Sequence, residues 1–438
     1  MQMGMAVKQK VFYGWWIVLV SSFVIFFGTG IGFYSFGVFV KPLEASFGWS
    51  RAAISATIAV WALVYGVTGP VIGALLHKYG ARYIIAASAL IAGICWLFLS
   101  RLTGMSQLFV LMFFSGIGTA GITLIPNQTL ISNWFDRYRG RAMGIMMVGI
   151  GLGGLTMPPL ANFLITTYSW RVSFFVLGLI LLGIIPPVLL FIRTRPADMG
   201  LEPDGVIHAH DGGSDLQERE ARSVVGLSTN QAVRTSSFWL LFGAFACLIF
   251  GESGLTVHFV ALIDDAGVSS QMAATYWAIA VGISSAGRLG FGFLSDRFNP
   301  KNLIATTHGL HAVALVLLLV FFLYLKIQSP AVLLPFSILY GLSLGGSAVL
   351  LPVVVARCFG MLSFSKLLGL LMSGFALGVV GGPVVAGSIA DATGSYTLAI
   401  ILFIAAFLTA AAAVSFVRLD LAKKQVNLIP SGSPGIET

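Results

Sequence analysis

The chain has 438 residues, 57% of them hydrophobic and 9% charged, with a net charge of +9 and a mean hydropathy of +0.94. Soluble domains carry about 25% charged residues, so a soluble enzyme and a disordered protein are both excluded, and the apolar residues must face lipid. An outer-membrane barrel is excluded as well, because the apolar runs reach about 20 residues or more and lack the alternating pattern of barrel strands.

The runs fall near 12–40, 52–76, 83–100, 106–133, 142–167, 171–192, 237–262, 271–294, 302–325, 330–356, 366–390 and 395–417. They predict an all-α membrane protein with twelve transmembrane helices. Lys8 and Lys10 precede the first run in the manner of a signal peptide, but the run continues to Val40 without a small-residue cleavage site and reads as a retained span. The polar stretch 193–236, with His208 and His210, divides the spans into two six-helix halves. The expected organisation is a bundle over 1–192, a linker over 193–236, a second bundle over 237–418 and a tail over 419–438. Cys95, Cys247 and Cys358 sit in different runs and offer neither a disulfide framework nor metal spacing. No Walker loop is present, and the Gly28 and Gly30 pair lies inside a span with no preceding strand, so neither ATP nor a dinucleotide cofactor is expected.

The chain contains 25 Lys and Arg. With a cytoplasmic amino terminus, 19 fall in cytoplasmic segments and five (Lys41, Arg51, Arg101, Arg171 and Lys326) in outer ones. This bias predicts that both termini are cytoplasmic. It explains the positive charge as topology and contact with anionic membrane lipid, so no nucleic-acid partner is needed. The residue left over is Arg288, inside the eighth apolar run. A charge there costs about 2.5–3.5 kcal/mol on insertion scales and persists where it pairs or faces water.

The halves repeat one another. Gly73-Ala-Leu75-Leu-His77-Lys78-Tyr-Gly80-Ala-Arg82 follows the second run, and Gly292-Phe-Leu294-Ser-Asp296-Arg297-Phe-Asn299-Pro-Lys301 follows the eighth. Trp134-Phe135 with Gly144, Gly153 and Pro158 matches Cys358-Phe359 with Gly369, Gly378 and Pro383. Two six-helix repeats with a site between them are a transporter design. On these motifs the whole chain resembles the major facilitator superfamily. Tyr13-Gly14-Trp15-Trp16 resembles the amino-terminal signature of its monocarboxylate transporter and oxalate:formate antiporter group, and the stretch from Trp134 to Gly144 resembles that group's span-five signature. Arg288, within Gly287-Arg288-Leu289, matches the group's span-eight arginine. The resemblance implies the MFS fold and transport of small carboxylates, with a proton or in exchange. Three positions depart from it. Tyr34 stands where the animal carriers have Lys, and Ser284 where they have Asp. Span eleven has only Lys366, at its cytoplasmic end, where an oxalate exchanger has a second cation midway, and this argues against a dicarboxylate.

Arg288 is the expected anion site, because a guanidinium stays charged and presents a planar fork to a carboxylate. The alternative is snorkelling to the head groups. Ser284 and Ser285, which share its helical side, suit a cavity better than lipid. Tyr34, Asn127, Tyr340, Ser373 and Ser284 are expected substrate-binding residues, with Phe36, Met147, Leu152 and Leu344 as an apolar wall; interhelical bonding and core packing are the alternatives for each. Glu252, the only acid inside a span, and His308 are proton-coupling candidates. By helical rise Glu252 lies roughly 13 Å from Arg288 in depth, too far for contact. His308 and His311, three apart, read as packed or interfacial. Asp296 is expected to gate the cytoplasmic side against the start of span five, where Arg139 and Arg141 join the helix dipole. His77, in the mirror position, is expected to form a weaker, pH-sensitive latch. The reading that follows is a monomeric secondary transporter in the plasma (cell inner) membrane. It would carry a small monocarboxylate such as lactate or pyruvate with a proton, without a cofactor or metal, by alternating access. The alternative is an oxalate:formate-type exchanger. A membrane enzyme lacks a nucleophile–base set, and a receptor lacks a signalling domain.

Overall fold

The computed structural model describes residues 12–205, 226–320, 330–419 and 421. Lys8, Lys10, His208, His210, Lys326 and the tail beyond 421 lie outside the described residues. Among the described residues twelve helices are long and apolar enough to cross a membrane. Numbered in chain order, spans one to six are Gly14–Phe47, Ala53–Tyr79, Ala81–Leu99, Met105–Trp134, Arg139–Thr167 and Trp170–Phe191. Spans seven to twelve are Ser236–Asp265, Gln271–Ser295, Pro300–Val320, Leu333–Phe359, Phe364–Thr393 and Thr397–Ser415. Helices are the form that satisfies every backbone polar group within its own segment in lipid. Polar residues start several of them. The Ser50, Ser169, Thr235 and Ser269 hydroxyls accept backbone N–H groups of Ala53, Val172, Phe238 and Met272. Asn299 does the same for Lys301, with Pro300 in the first helical turn.

Apolar burial does not drive helix association in lipid, so close backbone packing takes a larger part. Gly149 and Gly153 of span five lie directly under the Ser22 and Phe26 carbonyls of span one, where a Cβ would clash. The halves meet along two seams, span five against span eight and span two against span eleven. Both seams close toward the end of the bundle that carries Asp296, Arg141 and His77. There Gly140 abuts Gly292 and Ser295, Gly69 faces Gly369, and the Ser365 hydroxyl donates to the Gly73 carbonyl at 3.0 Å.

Spans one and four are interrupted, as is span six between Leu182 and Ile185. Span one is α-helical to Thr29, π-helical over Gly30–Ser35, 3-10 over Phe36–Phe39, and α-helical again over Val40–Phe47. Single π turns inside α-helices concentrate at functional sites, and this one contains Tyr34. Span four breaks at Thr123, whose φ of −99° and ψ of −119° are not helical. The cause is local. Pro126 has no N–H for the carbonyl of Ile122 four residues earlier. The Asn127 amide substitutes, donating to Ile122 O at 2.9 Å and Thr123 O at 2.6 Å.

The linker is fixed at both described ends. The Asp204 carboxylate accepts the backbone N–H groups of Asp136 (3.0 Å), Arg137 (2.7 Å) and Tyr138 (3.3 Å), just ahead of span five. Asp204 holds φ at +60°, in the left-handed region that Asp tolerates better than most side chains. At the far end Leu227 N–H donates to the Phe359 carbonyl at 2.8 Å.

Candidate functional site

Arg288 points across the span five–span eight seam. Its Nη1 lies 3.5 Å from the point a Cβ on Gly151 of span five would occupy, an ordinary contact distance, and the atom that such a Cβ would clash with is Ser285 Oγ. Arg288 is 6% exposed, inside the protein and away from acyl tails. Nη1 donates to Ser284 Oγ at 2.7 Å, one turn earlier on the same helix, and Ser284 Oγ donates onward to the Val281 carbonyl at 2.6 Å. Ser284 is fully buried, so it orients the guanidinium and does not meet a ligand directly. The Arg288 Nε–H has no partner among the described residues. A buried, hydrogen-bonded cation with a donor to spare is suited to a carboxylate.

Tyr34 stands next to this group. Its ring covers Gly154, one turn along span five from Gly151, and the residue is 42% exposed. Tyr34, Arg288 and Glu252 are within electrostatic reach of one another. Leu152 is exposed, Leu344 half-buried, and Ser373 half-buried with its hydroxyl donated to the Leu370 carbonyl at 2.6 Å.

The packing puts several other expected site residues elsewhere. Asn127 is fully buried and its amide donors are spent on the span-four break, leaving only an acceptor oxygen, which would repel a carboxylate. Tyr340 is sealed inside the second half against Trp277, Phe336 and His311. Phe36 packs with Phe39 and Phe174 in the aromatic core of the first half. Met147 has no exposed surface. His308 is buried in the second half among Leu241, Ala244, Phe245, Ile304, Ser347 and Leu351. The histidine at Glu252 is His311 instead: its Nε2 lies 3.3 Å from Glu252 Oε1. The sequence of span nine does not mark this contact, because the partner comes from another span.

At the closed end, Asp296 Oδ1 accepts Gly140 N–H at 2.8 Å and Oδ2 accepts Arg141 N–H at 3.3 Å, with Arg141 Nε 3.0 Å from Oδ2. Burial pushes this carboxyl above its ordinary value, opposed by the two backbone donors and Arg141. Arg139 is turned away. It donates to the Phe135 and Ser132 carbonyls and pairs with Asp136, bracing the end of span four. His77 is exposed, and the mirror seam is joined by Ser365 and Gly73. The sequence marks Asp204 only as part of a polar stretch and of the turn signal Pro203-Asp204-Gly205, and not as an anchor.

A family model described as the Major Facilitator Superfamily matches residues 22–360. Monocarboxylate transporter 12 of Rattus norvegicus is 30% identical over 335 residues, 73% of this chain and 66% of that protein. The oxalate:formate antiporter of Oxalobacter formigenes is 24% identical over 424 residues, 95% of each chain. Among solved structures, FucP, a Major Facilitator Superfamily transporter crystallised in the outward conformation, superposes with a TM-score of 0.65 at 11% identity, covering 92% of this chain and 98% of that one. That last likeness is one of fold.

Proposed function

Because the chain belongs to the Major Facilitator Superfamily and is a transporter rather than an enzyme, we propose that it carries a small monocarboxylate, lactate or pyruvate in type, together with a proton. The observation that supports this reading is Arg288, a buried guanidinium at the seam between the halves, held by Ser284 and keeping a donor without a partner. Span eleven carries Lys366 near its start and no second cation along its length, which suits a monoanion better than a dicarboxylate. Tyr34, whose ring covers Gly154, and Leu152, which follows Gly151 in span five, are exposed side chains available to a short alkyl or 2-hydroxy acid.

The basic end of the bundle is assigned to the cytoplasm on the Lys and Arg distribution. With both seams closed at that end, the conformation is closed to the cytoplasm. The carrier works as a monomer in the plasma or inner membrane, and alternating access proceeds by rocking one half against the other. The test is uptake of labelled lactate by Arg288→Lys in proteoliposomes, with membrane insertion checked separately. Lysine keeps the charge and loses the fork, so uptake is expected to fall at least about 10-fold, a loss of roughly 1.4 kcal/mol. Wild-type uptake in this variant would remove the assignment.

A further inference from the structure

We propose that Glu252 and His311 share one transported proton, and that this proton is the charge counterpart of the anion at Arg288. The inference rests on the reading of Arg288 as an anion site, and it identifies the group that couples that site to protons.

His311 Nδ1 lies 3.1 Å from the Thr307 carbonyl one turn earlier on span nine. A carbonyl oxygen only accepts, so Nδ1 carries the hydrogen and a neutral ring has a bare Nε2. That bare nitrogen lies 3.3 Å from Glu252 Oε1 on span seven. An ionised carboxylate is also acceptor-only. Two lone-pair-bearing atoms therefore face each other, and neither has a hydrogen-bond partner among the described residues. One proton placed between them turns the repulsion into a hydrogen bond, written either as carboxylic acid to imidazole or as carboxylate to imidazolium. A second proton would leave the pair with a net positive charge.

The surroundings suit a single exchangeable proton. The ring is fully buried, stacked on Phe407 with centroids 4.8 Å apart and edge-on to Tyr340 at 4.9 Å. The Glu252 side chain keeps 15% exposure, so exchange with water runs through the carboxyl. The titratable and charged groups facing the pair are Tyr340 from span ten, His308 from span nine, Arg288 from span eight and Tyr34 from span one. Span twelve contributes Phe407, and the neighbouring Ser253 hydroxyl is bonded to the Gly378 carbonyl of span eleven. No second acid stands among these groups.

The charge balance then sets the coupling. Empty, the site holds Arg288 positive, Glu252 negative and His311 neutral, a total of zero. With the anion and the proton both bound, the total is again zero. With only one of them it is one unit away from zero, which is costly to carry through a low-dielectric interior. The proton comes from water on the side where the site is open, rests between Oε1 and Nε2, and returns to water on the other side. No other bond forms or breaks.

The test uses full-length protein in proteoliposomes, with labelled lactate as the probe, for wild type, Glu252→Gln, His311→Gln and the double variant. An inward acid gradient is expected to stimulate wild-type uptake several-fold. In each single variant the stimulation should fall to about one-fold, and the double variant should add nothing further. Stimulation at the wild-type level in either single variant overturns the shared-proton assignment and leaves Arg288 standing. Absence of lactate counterflow in the wild type overturns both readings. If the Gln variants do not reconstitute, Glu252→Asp decides the matter. It keeps a carboxyl and withdraws it from Nε2, so the pH midpoint of the stimulation should move, and an unmoved midpoint overturns the assignment.

Discussion

Ser284 Oγ sits 2.7 Å from Arg288 Nη1 and passes its own hydrogen to the Val281 carbonyl, so the serine is oriented as an acceptor for the guanidinium. This i, i+4 pair fixes the fork without neutralising it. An acid in the same place would have cancelled the charge, whereas a hydroxyl leaves it available to a ligand. Ser284→Ala is expected to raise the KM for lactate about 10-fold, since hydrogen bonds to charged groups contribute about 1.5–3 kcal/mol. Concentration-dependent uptake in proteoliposomes checks this, and an unchanged KM would show that Arg288 is positioned by other contacts.

Asp296 joins the halves by accepting two backbone N–H groups at the start of span five. Burial pushes its carboxyl up and offsets part of that gain. Asp296→Asn is therefore expected to shift the balance of states by about 1–2 kcal/mol, roughly 5- to 30-fold, toward opening at this end. Labelling of a cysteine placed at Ser295, buried against Gly140, reads the shift in a background without native cysteines. Labelling at the same rate with and without Asp296→Asn would count against the latch.

Gly144 allows a close approach of span five to span eight near the site. A Cβ there would stand 2.6 Å from the Arg288 carbonyl oxygen, inside normal contact distance. Gly144→Ala should hold the seam apart and favour the state open at the basic end. The expected result is faster labelling at Ser295 together with slower transport, and a fully active Gly144→Ala carrier would contradict the packing.

Asn127 repairs the span-four break. Asn127→Leu removes the donors from the buried Ile122 and Thr123 carbonyls, at a cost of about 1–3 kcal/mol for each group left unpaired. Melting of the detergent-purified protein should occur at a clearly lower temperature, while the KM of the folded carrier changes less than in Ser284→Ala. A large KM change with an unchanged melting temperature would instead place Asn127 on the ligand.

The span count and the position of Arg288 within a span were legible because they depend on local composition: an apolar run is its own signal, and a lone cation inside one has few explanations. Asp296 was legible because the repeat marked its loop. Partners on other spans were not. Nothing local to His311 announces Glu252, which is 59 positions earlier on a different helix. Tyr340 and Phe36 carry no mark that rotates them inward, since rotation about a helix axis in lipid is set by neighbours and hardly by hydropathy. Asn127 could have been read locally: Pro126 deprives one carbonyl of its donor, and the next residue has an amide to supply.

The two anchors of the linker have a consequence for assembly. Asp204 belongs mechanically to the first bundle through residues 136–138, and Leu227 belongs to the second through Phe359. Each bundle thus keeps its own stub of the connection. A polypeptide severed between these stubs should yield two fragments that recombine in one bilayer into a working carrier.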